Sequence, residues 1–185
     1  MRLIFLLIAT CITASYAAAA TYSGKISISQ KYIVFTDSQE QKDYIVKSAT
    51  PLIAAHINKL SDGDFISFDG TKNYTDRSVI ISSFNYVGLK GLVGTWFGDD
   101  DYCYTFHTFT EFSISRKFGD ACLTPSRPNY TYVLSPTSNS WVIIISATHG
   151  GNYLGEIHFY GQSDVGFYLY DPESGDILRS IRLRK

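Results

Sequence analysis

The chain has 185 residues, with 16 Lys and Arg against 17 Asp and Glu and a formal net charge of −1. A balance this even gives no electrostatic drive toward phosphate backbones, so no nucleic acid is expected as a partner. The 14 Tyr and 12 Phe are strand-favouring residues.

Met1-Arg2 opens the chain, the apolar run Leu3 to Ile8 follows, and the small-residue stretch Ala17 to Ala20 closes the segment. That order of basic, apolar and small residues reads as a cleavable secretory signal over residues 1–20, with a mature start near Thr21. The apolar run is too short for a membrane span, which needs roughly 20 apolar residues. Cys11, after Ile8-Ala9-Thr10, faintly resembles a lipoprotein box; Thr10 fits that box poorly. Cleavage removes Arg2 and leaves a slightly acidic chain that retains Cys103 and Cys122. In an exported protein two cysteines are expected to pair, the alternative being two buried free thiols. Nineteen residues apart, they lack the tight spacing of a thiolate zinc site.

Alternating apolar and polar residues predict strands at 24–30, 31–36 and 43–47. A helix is expected over 50–60, because Thr50 suits the N-cap, Pro51 the first turn, and Leu52, Ile53, His56, Ile57 and Leu60 share one face. Strands return at 65–68 and 78–84. Three strands, a helix and two strands resemble an OB-fold barrel, so residues 21–90 are expected to form an OB-like β-barrel domain.

Gly88, Gly91 and Gly94 then suggest a flexible boundary. After it, Gly94-Thr95-Trp96 opens a second run of strands, predicted within 102–116 and at 129–134, 141–146, 155–160, 165–170 and 177–183, with turn-rich spacers between. The Gly-x-Trp and the meander resemble the lipocalin-like, or calycin, barrels, and residues 91–185 are read as such a domain. The resemblance implies that Trp96 closes one barrel end and that a basic residue of Arg182-Leu183-Arg184 stacks over it. The fold class is therefore mainly β, an OB-like barrel with one helix followed by a lipocalin-like antiparallel barrel or meander.

Candidate sites are sparse. Asp99, Asp100 and Asp101, with His107 nearby, are better explained as a solvated turn than as a calcium loop. Asp171, Glu173 and Asp176, with Pro172 and Gly175, read as hairpin chemistry. His56, His107, His149 and His158 show no metal spacing, and no catalytic motif occurs. His158 with Glu156 and Tyr160 is the best local acid–base group. Trp96 and, for the first barrel, Tyr32, Phe35, Tyr44, Phe68 and Tyr74 are candidate binding aromatics. In the second barrel the bore is a default site, although Trp96, Phe106, Phe112, Trp141 and Phe167 are bulky enough to fill it. The expectation is an exported, non-enzymatic binding or interaction protein, periplasmic in a Gram-negative source and extracellular otherwise. No cofactor or metal is expected, and the ligand is a protein, a glycan or a small apolar molecule. The alternative is a hydrolase assembled from scattered Asp, Glu and His.

Overall fold

A computed structural model describes residues 19–119, 121–123, 128–148, 150–171 and 173–185. Residues 1–18 of the signal segment, with Cys11, as well as His149 and Pro172, lie outside these residues. The fold is mainly β, as expected. Its first five strands are β1 (Ala20–Ile28), β2 (Ile33–Asp37), β3 (Asp43–Ser48), β4 (Phe65–Asn73) and β5 (Ser78–Gly88), with α1 (Pro51–Ile57) between β3 and β4. β1 to β3 pair in sequence, β3 pairs in parallel with β5, β5 with β4 and β4 with β1, so the five close into a ring.

The local reasons are those of the sequence. Thr50 Oγ1 accepts the Ile53 amide at 3.2 Å, capping α1, while Ile53 and Ile57 are its buried residues. Alternate strand residues Ile26, Phe35, Tyr44, Ile66, Phe68, Val79 and Ile81 fill the ring, each 2 % exposed or less. At Gly24 a side chain would begin 2.0 Å from the Thr36 carbonyl oxygen, so only glycine permits this approach of β1 to β2.

A single turn of 3-10 helix, Lys90–Leu92, leads into β6 (Gly94–Gly98), β7 (Tyr102–Phe106), β8 (Glu111–Phe118) and the short β9 (Ala121–Cys122). Then come β10 (Tyr130–Pro136), β11 (Trp141–Ala147), β12 (Asn152–Gly161), β13 (Asp164–Tyr170) and β14 (Ile177–Arg184). Apart from β9, these strands pair antiparallel around a closed eight-stranded barrel, sealed by β14 on β6 and by β8 on β10. Ring and barrel share a continuous sheet through Leu134 of β10 opposite Val87 of β5.

Gly88 ends β5, and Phe109 lies where its side chain would be, 2.7 Å from the Cβ position. The cysteines pair as expected, with Cys103 and Cys122 joined at an S–S distance of 2.06 Å.

Candidate functional site

The bore of the barrel holds side chains. Trp96, Tyr104, Phe106, Phe112, Tyr132 and Phe167 are each 1 % exposed or less, and the ring of Phe106 meets that of Tyr132 edge-on at 5.3 Å. Open space lies instead where the barrel end faces the five-stranded ring, in a cleft of about 930 Å³. The chain leaving α1 supplies Lys59, Ser61, Asp62 and Asp64, and the 3-10 turn supplies Leu89, Lys90 and Gly91. The β10–β11 turn brings Asn139 to Trp141, β12 and its turn bring Ile157 and Phe159 to Gln162, and Lys185 completes the wall. Leu89, Trp141 and Ile157 are buried and make an apolar floor.

Three polar links shape this cleft. Asp64 is 1 % exposed, and its carboxylate accepts the Ser61 amide at 2.7 Å and the Lys90 amide at 2.8 Å. Burial nevertheless pushes its carboxyl above the usual carboxylate range. Lys59 Nζ donates to the carbonyls of Thr137 and Ser140, joining the end of α1 to the β10–β11 turn. Lys185 Nζ donates to the carbonyls of Gly91 at 2.9 Å and Val93 at 3.1 Å. Partial burial lowers the pKa of both ammonium groups.

Trp96 is fully buried, its indole N–H donating to the Leu92 carbonyl at 2.7 Å. The cation over its ring is Lys185, at 4.5 Å, rather than Arg182 or Arg184. Strand alternation explains the difference. Ile181 and Leu183 are buried in the bore, so the residues between them and after them point outward, while Lys185 shares the inward side. Arg182 instead pairs with Asp164 and stacks on Tyr160 at 3.9 Å.

The candidate binding aromatics do not form one surface. Phe35 and Phe68 are buried and meet edge-on at 4.9 Å. Tyr44 is 2 % exposed and its hydroxyl donates to Glu40. Tyr74 is exposed and stands edge-on to Tyr44 at 6.3 Å, and the pair border a smaller cavity of about 270 Å³ with Lys42, Asp43 and Arg77. Tyr32 is exposed on the β1–β2 turn, under Lys31.

The other polar candidates are held within the fold. Asp100 accepts the Tyr104 hydroxyl at 2.7 Å and Asp99 the Arg182 amide at 3.0 Å. Asp171 receives the amides of Glu173 and Ser174, as a hairpin turn requires. His107 meets Ser113 at 2.8 Å and His158 meets Glu156 at 3.0 Å. His56 sits against Phe84, and burial lowers its pKa, which favours the neutral ring. Among the described residues no His, Cys, Asp and Glu cluster has metal-binding geometry, and no helix is long and apolar enough to cross a membrane.

Sequence reasoning missed Lys59, Lys90 and Lys185. Their separation along the chain carries no local signal. No protein-family model, curated protein or solved structure matches the chain.

Proposed function

We propose that this is an exported, non-enzymatic binding protein whose ligand seats in the cleft between the five-stranded ring and the eight-stranded barrel. The observation that carries this reading is the cleft itself. It is walled by both units, floored by apolar residues, and within the range of roughly 300 to 1,000 Å³ common to small-molecule sites. The filled bore argues against carriage inside the barrel. Strand order supports treating the ring, residues 21–90, as an OB-like domain and the barrel, residues 91–185, as a lipocalin-like one. The signal pattern and the disulfide support export to an oxidising compartment. A hydrolase has one observation in its favour, the His158–Glu156 pair. Those side chains lie on the outer barrel wall, about one-third exposed, with no cleft around them to orient a substrate, and we favour binding.

The test is an amide-resolved NMR titration with three amphiphiles of equal tail: decanoate, decanol and decyltrimethylammonium. At least one is expected to shift amides on both sides of the cleft, at Lys59 to Gly91 and at Asn139 to Gln162. Shifts confined to the outer wall or the Tyr44–Tyr74 cavity, or no shifts at all, overturn the assignment.

A further inference from the structure

Resting on the cleft reading, we infer that the ligand is an amphipathic monoanion, with an acidic head between Lys59 and Lys185 and an apolar tail over Trp141, Ile157 and Leu89. Three ammonium groups line the cleft, and among the described residues none of them meets a carboxylate. An ammonium carries three donors and no acceptor. Lys59 and Lys185 each spend two on backbone carbonyls, and Lys185 also lies over the Trp96 ring, so Lys59 keeps one uncommitted donor. Lys90 runs across Gly63, where its Nζ lies 2.9 Å from the position a Cβ would take, and its side chain makes no hydrogen bond among the described residues.

The two carboxylates of the cleft are already satisfied by amides. Asp64 receives Ser61 and Lys90, and Asp62 receives the Ile28 amide at 3.1 Å. Their charges remain, but among the described residues none of the three lysines lies within ion-pair distance of either, so the cleft keeps three ammonium groups against two carboxylates. A partly desolvated cation without a counter-charge is costly, and an incoming anion removes that cost. Neutral ligands gain only the apolar floor, and cationic ones meet like charge. The head is a carboxylate or sulfonate on a single free molecule, because the site is a concave slot rather than an exposed surface.

The same three amphiphiles test this by calorimetry with the intact protein at neutral pH and low salt. Decanoate is expected to bind about tenfold or more tightly than decanol, and decyltrimethylammonium more weakly than either. Raising the salt weakens decanoate and leaves decanol unchanged. Lys59→Met with Lys185→Met, checked for a native melting transition, lowers decanoate affinity about tenfold without affecting decanol. Should that variant fail to fold, Lys90→Met and the head-group ranking on the unmutated protein carry the test. Equal binding of decanoate and decanol in the cleft overturns the anion inference while the cleft reading stands. No binding of any of the three defeats both.

Discussion

Lys72 shows how a single residue organises one end of the five-stranded ring. Its side chain is 2 % exposed, its Nζ lies 2.8 Å from Asp37 and 2.6 Å from Glu40, and it sits over the rings of Tyr22 at 4.4 Å and Tyr44 at 4.8 Å. Burial alone raises the Asp37 carboxyl, but the Lys72 ammonium and the Glu40 and Gln39 amides outweigh it and hold the group below the usual range. Burial likewise lowers Lys72, and its bonds to Asp37 and Glu40 reverse that to a net rise. Replacing Lys72 by Met strands a buried carboxylate. The expected cost is about 3 kcal/mol, read as a shift of the urea midpoint. A lowered carboxyl contributes stability above its unfolded pKa, about 3.9, and loses it as the pH falls through the folded value. A raised lysine contributes fully below about 10.4 and loses it as the pH rises through its folded value. The difference between unmutated protein and Lys72→Met is therefore expected to stay level across neutral pH and to shrink at both extremes.

At the scale of elements, β7, β8 and β9 form a unit stapled by Cys103 and Cys122. The bridge spans 19 residues of sequence, and closing a loop of that length in the unfolded chain is worth about 3 kcal/mol. Reduction under native conditions should lower the urea midpoint accordingly, and intact-mass measurement before reduction should find two hydrogens missing. An unchanged midpoint would show that the staple adds nothing to the barrel. Strand identity was readable here from alternation, but boundaries were not. β4 runs to Asn73 and β5 to Gly88, beyond the predicted segments, because their ladder pairs them over nearly their full lengths. The helix is shorter than its apolar pattern. Past Asn58 the chain turns, with the Lys59 amide bonded to the His56 carbonyl and the Leu60 amide to that of Ile57. Leu60 still packs in the core, so periodicity marked a buried residue without marking helix.

For the whole molecule, Asp64 ties the ring to the segment that leads into the barrel. Truncation to Ala removes two amide hydrogen bonds to a carboxylate, each worth about 1.5 to 3 kcal/mol and offset in part by relief of the buried charge. Asp64→Ala should therefore lower thermal stability and also weaken binding in the cleft, because Lys90 and Gly91 lose their anchor. A stability loss with cleft binding intact would mean that the strut does not position that wall. The linkage has the opposite sign to Asp37. The raised Asp64 carboxyl holds a proton more readily when folded, so its contribution falls as the pH rises from about 3.9 through its folded value.

The sequence by itself determined the mainly β architecture, the capped helix, the cysteine pair and four of the bulky residues in the bore, Trp96, Phe106, Phe112 and Phe167. Each of these is written in neighbouring residues or in a period of two, which backbone geometry converts directly into burial. Tertiary structure alone decided that Lys185 rather than Arg182 or Arg184 covers Trp96, that Phe35 and Tyr44 are core, and that Lys72 is enclosed. It also decided that Lys59, Lys90 and Lys185 share one cleft. Those outcomes depend on which strand ends meet when the five-stranded ring and the eight-stranded barrel close, and strand pairing between distant segments leaves no trace in local pattern.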